Sequence, residues 1–384
     1  MRINPVLSEL GEYKIAAVKE IARALQAEGK KVIDFSIGDP REPTPAFITD
    51  ALHDAIPAVS QYPAAAGLPE FREAVADYVQ RRFGVSVDPD TQIVPTSGSK
   101  EAVFNTPFAF CDPGANDVVV YGSPGYPIYE RGARFAGAEA YAVELSGDFV
   151  LRHDDIPDDI WSRTRLVWTC TPHNPTGAVT SAEDLDGLLS RCRANDALLL
   201  SDECYMDVYE EEHFPDGPTS TLQVAGPGCR GALVYLSLSK RSGMTGYRSG
   251  AIVGDPDAIA VLKNLRSTTG TAAPEHVQRM AVAAWGDDVH AEERRDVFAA
   301  KRAVLRQGFE PLGYKVVASQ AGLYLWIAVG DDLAMMDRLL QSGVVVSAGR
   351  FFGAGGEGYI RLALVPTLED CAKAAEVVRT CLSS

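Results

Sequence analysis

The segment Leu198-Leu199-Leu200-Ser201-Asp202 decides the fold class, because it is a short apolar run that ends on a carboxylate. Residues 182–194 before it show the spacing of a helix. Comparable apolar runs lie at residues 93–95, 117–121, 166–170 and 233–237. Strands that are apolar at successive positions and alternate with helices form a mostly parallel sheet that is covered on both faces. We therefore predict an α/β protein with a mostly parallel sheet sandwiched by helices.

Beyond residue 280 the pattern changes. A long helical stretch is predicted over residues 281–308. Shorter strands are predicted at residues 314–317, 322–328, 344–346 and 359–364, and near the N-terminus a helix at 15–25 and a strand at 32–37. This mixture is typical of a smaller α+β unit. We predict a large domain of residues 46–280 and a small discontinuous domain of residues 1–45 and 281–384.

The composition of the chain limits the classes of protein to which it can belong. The chain has 384 residues, of which 46% are hydrophobic, and a formal net charge of −16. A chain of this length buries a large core without disulfide staples, which excludes a disordered chain, a fibre and a disulfide scaffold. A negative field repels phosphate backbones and anionic lipids, so we predict neither a nucleic-acid nor a membrane partner.

The location is predicted from what the sequence lacks. It has no apolar run near the roughly 18 residues of a spanning helix, and its start, Met1-Arg2-Ile3-Asn4-Pro5, does not read as a signal peptide. The seven cysteines are scattered without a C-x-x-C pair, which is typical of reduced thiols. We predict a cytoplasmic protein without a metal site.

The most informative polar segment is Ser237-Leu238-Ser239-Lys240-Arg241-Ser242-Gly243-Met244-Thr245-Gly246-Tyr247-Arg248. Lys240 comes directly after an apolar strand, where a desolvated lysine has a lowered pKa and can form a Schiff base with a carbonyl. Arg248 offers a forked donor suited to phosphate. The alternative is a polar loop that merely carries two cations.

Four other loops follow predicted strands, and ligands gather at that edge of an open parallel sheet. Residues 96–101 could bind a phosphate, and the alternative is that they form an ordinary helix cap. In residues 124–127, Tyr126 could stack on a planar ligand, and the alternative is that it is a core residue. Residues 171–177 offer the Asn174 amide or a plain turn, in which His173 is expected to be solvated. Asp202 invites a cationic partner, or caps a helix.

Together these loops resemble the class I and II aminotransferases, which are pyridoxal-phosphate enzymes of fold type I. The resemblance runs from Gly38-Asp39-Pro40 to Arg361. Its specific signal is the ordered set N-P-T-G at residues 174–177, D-x-x-Y at 202–205 and S-x-S-K-x7-R at 237–248. The resemblance implies pyridoxal 5′-phosphate as the cofactor, and a large domain that binds it.

The resemblance also implies roles for individual residues. Lys240 forms the Schiff base with the cofactor and shuttles the proton at the substrate Cα. Asp202 pairs with the pyridinium nitrogen, and Tyr205 and Asn174 bind the phenolic oxygen of the ring. Tyr126 stacks on the ring. The phosphate is bound by Gly98, Ser99, Lys100, Ser237, Ser239 and Arg248.

The remaining implied roles concern the substrate and the assembly. Arg361 clamps the α-carboxylate of an amino acid or a 2-oxo acid, next to Gly38 and Asn174. Tyr62 reaches across a subunit interface to the phosphate of the neighbouring site. The resemblance thus implies a homodimer with shared active sites.

Within the family, residues 38–45, 171–177 and 237–250 resemble the branch of succinyldiaminopimelate aminotransferases of lysine biosynthesis. This resemblance implies succinyldiaminopimelate and 2-oxoglutarate as substrates. Arg41 and Arg266 are candidates for a distal carboxylate, and each could equally be a surface charge. An aspartate-type aminotransferase, a β-lyase, a decarboxylase and a cyclising synthase remain alternatives, because the same lysine serves them all.

Overall fold

The computed structural model describes residues 1–10, 14–29 and 31–383. The strands are β1 Ile33–Asp34, β2 Ile93–Thr96, β3 Val118–Ser123, β4 Glu139–Glu144, β5 Thr164–Cys170, β6 Leu198–Asp202, β7 Ala232–Ser237, β8 Gly250–Gly254, β9 Lys315–Val317, β10 Tyr324–Ala328, β11 Val344–Val345, β12 Ser347–Ala348 and β13 Tyr359–Ala363.

The helices are α1 Pro5–Leu10, α2 Lys14–Ala27, α3 Ala46–Ala55, α4 Pro69–Phe83, α5 Ser99–Asn105, α6 Pro107–Phe110, α7 Ile128–Phe135, α8 Asp158–Trp161, α9 Ala182–Ala194, α10 Thr221–Ala225, α11 Leu238–Arg241, α12 Pro256–Thr269, α13 Glu275–Gly286, α14 Val289–Phe309, α15 Asp332–Gln341 and α16 Leu368–Leu382. Within the described ranges, none of them has the length and apolar character that a bilayer-spanning helix needs.

The main sheet has seven strands in the order β2-β8-β7-β6-β5-β3-β4. Strand β8 is antiparallel to both of its neighbours, and the other pairings are parallel. Successive side chains of β6 enter different apolar clusters: Leu199 packs on one face of the sheet and Leu200 on the other. The predicted α/β sandwich is therefore confirmed, with one reversed strand.

A smaller antiparallel sheet has the order β12-β13-β10-β9, and β1 pairs with β11 in parallel. The β1–β11 pairing joins the N-terminal segment to the C-terminal third of the chain. It supports the predicted discontinuous domain, whose boundaries stay a prediction.

Local sequence explains where several elements end. Helix α4 stops at Gly84, whose φ of 68° suits a residue without a Cβ. Helix α9 begins after Ser181, whose hydroxyl oxygen accepts a hydrogen bond from the Asp184 N–H at 3.0 Å. Strand β1 is shorter than predicted, because the Asp34 carboxylate accepts hydrogen bonds from the backbone and the hydroxyl of Ser36 and turns the chain.

The helical stretch predicted over residues 281–308 is divided between two helices. Helix α13 ends at Gly286, and α14 begins at Val289. Asp287 between them is extended, with φ −118° and ψ 127°. Its carboxylate accepts a hydrogen bond from the His290 backbone N–H at 2.9 Å, which satisfies a donor that the new helix would otherwise leave unpaired. Periodicity alone did not show this break, because both helices bury apolar faces.

Two strands of the main sheet were not predicted. Strand β4 lies at the sheet edge and is largely exposed, so it has no continuous apolar run. Strand β8 is short, with a glycine at each end. At Gly250 an added Cβ would lie 2.5 Å from the Leu236 carbonyl oxygen, so only glycine lets the strands approach so closely there.

Candidate active site

A cavity of about 760 Å³ lies at the carboxyl ends of β3, β5, β6 and β7. It is bordered by α5 on one side and by residues of β10 and β13 on the other. Twelve of the predicted site residues line it: Gly38, Ser99, Lys100, Tyr126, Asn174, Asp202, Tyr205, Ser237, Ser239, Lys240, Arg248 and Arg361. Loops that are far apart in the sequence are therefore brought together around one space.

Lys240 lies in the short helix α11 that follows β7. Withdrawal of its ammonium from water lowers the pKa of Lys240 to about 8, although the nearby Asp39 carboxylate opposes this shift. Its Nζ donates a hydrogen bond to the carbonyl oxygen of Gly38. At neutral pH this amine loses its proton far more readily than a surface lysine, as a nucleophile toward a carbonyl requires.

Asp202 ends β6 and is 5% exposed. Burial raises the pKa of its carboxyl group, and hydrogen bonds from Cys204 and Tyr129 partly offset that shift. The Tyr129 hydroxyl donates to Oδ2 at 2.8 Å. Among the residues that the structure describes, no lysine, arginine or histidine forms an ion pair with Asp202. A protonated ring nitrogen would supply the cation that the sequence led us to expect.

The turn from β2 into α5 forms an anion cradle. Gly98 has a φ of 81°, and an added Cβ would lie 2.6 Å from Cζ of Arg248. The predicted Gly98 thus lies against Arg248 without itself lining the cavity. Ser99 and Lys100 follow at the start of the helix. Ser237 ends β7, and Ser239 lies in the short helix α11 that follows it. Hydroxyls, an N-terminal turn and a guanidinium group in this arrangement suit a phosphate.

Arg361 closes the opposite end of the cavity and is 4% exposed. Its Nη1 donates to Oδ1 of Asn174 at 3.0 Å, and its Nη2 donates to the Ser36 carbonyl oxygen at 2.7 Å. Its Cζ lies 4.3 Å from the ring centroids of both Tyr324 and Phe352. The guanidinium group is therefore held in a fixed plane, which suits bidentate binding of a carboxylate.

Sequence reasoning missed several lining residues, among them Asp39, Cys204, Tyr324 and Phe352. Tyr324 lies in an apolar strand and has the pattern of a core residue. Cys204 lies inside the D-x-x-Y motif, two positions after Asp202. Asp39 directly follows Gly38, and this adjacency was the only indication in the sequence that it lines the cavity.

Three predicted residues lie elsewhere. Tyr62 is fully exposed and lines a second cavity, of about 560 Å³. Arg41 is exposed and does not line the first cavity. The alternative that Arg266 is a surface charge is wrong, and its role toward a distal carboxylate stays a prediction, because it does not line the first cavity. It is 3% exposed, lines the second cavity, and forms an ion pair with Glu101 at 3.0 Å.

The interpretation of His173 as a solvated side chain is also wrong. It is buried, its Nδ1 lies 2.8 Å from the Thr176 hydroxyl oxygen, and burial lowers the pKa of its imidazole to about 4. The seven cysteines are all free thiols. In the described part of the chain, no group of three or more His, Cys, Asp or Glu side chains could hold a metal ion.

Comparison with known proteins explains this geometry. The sequence model of the family described as aminotransferase class I and II matches residues 30–378. The chain belongs to the class I and II aminotransferases. The resemblance carried by the three ordered motifs is thereby confirmed. This aminotransferase depends on pyridoxal phosphate, acts on amino acids and 2-oxo acids, and has fold type I.

Individual relatives match along the whole length. The chain is 35% identical to LL-diaminopimelate aminotransferase 2 of Nostoc sp. (strain PCC 7120), over 96% of this chain and 95% of the relative. A crystal structure of an aminotransferase from Neisseria meningitidis superposes with a TM-score of 0.90 at 33% identity, over 98% and 99% of the two chains. A probable N-succinyldiaminopimelate aminotransferase from Thermus thermophilus superposes with a TM-score of 0.88 at 28% identity, over 95% and 99%.

The aminotransferase cavity fits the cofactor of its family. A carboxylate without a cationic partner in the described residues suits the ring nitrogen, and the cradle at Gly98 suits the phosphate. Lys240 follows both groups along the chain and lines the same cavity. Arg361 lies apart from the cradle and is left for a second anion.

Proposed function

We propose that this aminotransferase transfers an amino group between a diaminopimelate-type amino acid and 2-oxoglutarate, as in lysine biosynthesis. The observation that carries the proposal is the lowered pKa of Lys240 in a cavity that also contains Asp202 and Arg361. Transamination needs an amine that loses its proton more readily than an ordinary lysine, and cations for two anions. The two anions are the cofactor phosphate and the substrate carboxylate.

Pyridoxal phosphate, when bound, supplies an electron sink for the bond that breaks at the substrate Cα. Lys240 holds the aldehyde end of the cofactor and then moves the proton at Cα. Asp202 holds the proton on the ring nitrogen, and Tyr126 packs on the ring. Tyr205 and Asn174 orient the phenolic oxygen. Ser99, Lys100, Ser237, Ser239 and Arg248, backed by Gly98, bind the phosphate.

Arg361 binds the α-carboxylate of each substrate, beside Gly38 and Asn174. The fixed guanidinium plane between two rings supports this role, because a bidentate pair needs a defined orientation. The donor and the acceptor each carry an α-carboxylate, so one arginine can bind both substrates in turn.

Two forms of the amino acid are candidates. The N-succinylated form is favoured by the loop motifs and by the name of the Thermus neighbour. The free LL form is favoured by the name of the Nostoc relative, which is more similar in sequence. Both carry a long chain with a distal carboxylate, so the same cavity can take either.

A half-reaction screen separates these candidates. The holoenzyme is mixed with each amino acid, without a 2-oxo acid, and the loss of its visible absorbance band is followed. A substrate converts the band, and 2-oxoglutarate restores it. Failure of both diaminopimelate forms, with rapid conversion by aspartate alone, contradicts the substrate assignment. Release of ammonia and pyruvate without any 2-oxo acid points to lyase chemistry instead.

We further propose a homodimer with shared active sites. Tyr62 is fully exposed in one chain, although a tyrosine ring is usually at least partly buried, which suits a residue that binds in a neighbouring subunit. Subunit mixing tests the proposal. Hybrids of Lys240→Ala with Tyr62→Ala contain one site with both native residues, so activity should return on mixing. Unchanged inactivity in a proven hybrid dimer contradicts shared sites.

A further inference from the structure

Tyr324 contacts both Tyr205 and Arg361, which belong to separate sequence segments. It lies at the start of β10, is 3% exposed, and lines the cavity. Its hydroxyl oxygen lies 2.9 Å from that of Tyr205, and its ring lies beneath Arg361. One side chain therefore touches both the residue proposed for the cofactor ring and the residue proposed for the substrate carboxylate.

The ring of Tyr324 sets the plane of Arg361. The guanidinium carbon lies 4.3 Å from the centroid of this ring and 4.3 Å from that of Phe352, so the cation is sandwiched between two aromatic faces. A desolvated cation over an aromatic face is attracted by the ring quadrupole. Removal of one face leaves the guanidinium free to tilt away from the carboxylate.

The hydroxyl of Tyr324 sets the direction of the Tyr205 proton. Between two phenol groups, one O–H donates and the other oxygen accepts. When Tyr324 donates, the Tyr205 proton is free to point into the cavity, toward the place proposed for the phenolic oxygen of the cofactor. Both hydroxyls are buried and their pKa values are raised by burial, so both remain protonated at neutral pH.

The backbone at Gly38 leaves room for the Tyr324 hydroxyl. At Gly38, an added Cβ would lie 2.5 Å from Oη of Tyr324. The carbonyl oxygen of Gly38 accepts the hydrogen bond from Lys240. The position of Tyr324 is thus fixed by the same loop that contacts the reactive amine.

We propose that Tyr324 is a positioning residue with two separable functions: its hydroxyl directs the Tyr205 proton toward the cofactor, and its ring orients Arg361 toward the substrate carboxylate. The proposal rests on the proposed function of the cavity. It predicts that removal of the hydroxyl and removal of the ring have different consequences.

The test compares Tyr324→Phe with Tyr324→Leu in the holoenzyme. A hydrogen-bond donor draws negative charge from the phenolic oxygen and lowers the proton affinity of the Lys240 nitrogen bound beside it. Tyr324→Phe should therefore raise the pH midpoint of the visible band by about 0.4 to 1 unit, with the KM for L-glutamate within about twofold of wild type. Tyr324→Leu should raise the midpoint similarly and also raise that KM roughly 2- to 30-fold.

Tyr209 provides the matched control. It is as buried as Tyr205, and the guanidinium groups of Arg82 and Arg295 lie over its ring at 5.4 and 4.4 Å, but it does not line the cavity. Tyr209→Phe and Tyr209→Leu should change thermal stability and leave both the pH midpoint and the KM unchanged.

Two results overturn the proposal. One is an unchanged pH midpoint in Tyr324→Phe, and the other is an unchanged KM in a folded Tyr324→Leu that retains its visible band. Failure of the proposed function is distinguishable from both. In that case the wild-type chain forms no visible band with pyridoxal phosphate, or L-glutamate does not convert the band, before any variant is compared.

Discussion

The hydroxyl of Tyr129 donates a hydrogen bond to Oδ2 of Asp202 at 2.8 Å, and Tyr129 itself stacks on Trp168 with 5.0 Å between ring centroids. This bond lowers the pKa of Asp202 against the effect of burial, which raises it. Tyr129→Phe should therefore raise that pKa further. Asp202 then becomes protonated at a higher pH, so the acidic limb of the kcat/KM profile should shift upward by about 0.4 to 1 pH unit.

The pH profile of Tyr129→Phe should be measured beside that of Tyr235→Phe. Tyr235 is also fully buried, and its hydroxyl oxygen lies 2.7 Å from that of Thr106 instead of contacting Asp202. Its loss should reduce stability without moving the acidic limb. Equal shifts in both variants would show that the Tyr129 bond has no particular effect on the carboxyl group.

Lys240 should control the rate at which the cofactor-free chain captures pyridoxal phosphate. The pKa of this lysine is about 8, so the neutral amine becomes the major form above that pH. The rate of appearance of the visible band should rise with pH and level off above about 8. Lys240→Ala should form no such band. A rate that continues to rise toward the ordinary lysine pKa of about 10.4 indicates an unperturbed lysine.

Gly38→Ala should disturb the cavity through Tyr324. The added Cβ falls 2.5 Å from the tyrosine hydroxyl oxygen but 3.2 Å from the nearest ring carbon. We expect a loss of about 1–3 kcal/mol in the free energy of unfolding, measured by urea denaturation. The double variant with Tyr324→Phe should recover part of this loss, because the closest atom is gone. Strictly additive losses contradict a direct contact between the two positions.

Asp207 should stabilise two of the chain segments that carry proposed cofactor ligands, residues 202–205 and residues 237–248. It is buried, and it accepts hydrogen bonds from Tyr78 at 2.9 Å, from Arg82 at 3.1 Å and from Arg241 at 2.9 Å. Arg241 is adjacent to Lys240. Asp207→Asn leaves buried guanidinium groups with less counter-charge and should lower the free energy of unfolding by about 3 kcal/mol.

The effect of Asp207 should depend on pH. Its arginine neighbours hold the pKa of Asp207 below the usual range despite burial. The stability that it contributes is therefore present above the ordinary pKa of an aspartate and is lost as the pH falls through the lowered value. The difference between wild type and Asp207→Asn should shrink in acid.

Asp117 is a suitable control for Asp207, because it is also buried and its carboxylate accepts a hydrogen bond from Arg165 Nε at 3.1 Å. It lies at the amino end of β3, whereas the cavity lies at the carboxyl ends of the strands. Asp117→Asn should also destabilise the chain. Only Asp207→Asn should weaken the retention of pyridoxal phosphate. If Asp117→Asn weakens it equally, general loss of stability is the cause.

Sequence reasoning found the residues whose chemistry is unusual for their position. A lysine or a carboxylate directly after an apolar strand is costly to bury, so Lys240 and Asp202 could be recognised without any structure. Arg361 came only from the family resemblance. In each case the structure places the side chain in the same cavity, and the functional roles remain proposals.

Residues that look ordinary in the sequence could not be found in this way. Tyr324 and Phe352 have the pattern of core residues, and only their place beside Arg361 shows another use. The burial of Arg266 and His173 depends on partners that folding supplies, such as the distant Glu101 for Arg266. The antiparallel direction of β8 likewise depends on pairing, which a local pattern does not report.

The reversed direction of β8 makes residues 238–249 the loop of a wide β-hairpin. Its two ends are held together, because Ser237 pairs with Gly250 in the register of β7 and β8. Lys240 lies near one end of this hairpin loop, and Arg248 lies near the other. The seven residues between them therefore determine the distance from the reactive amine to the phosphate cradle. Insertions here should separate the two cations without disturbing the sheet, because the two ends of the loop stay paired in β7 and β8.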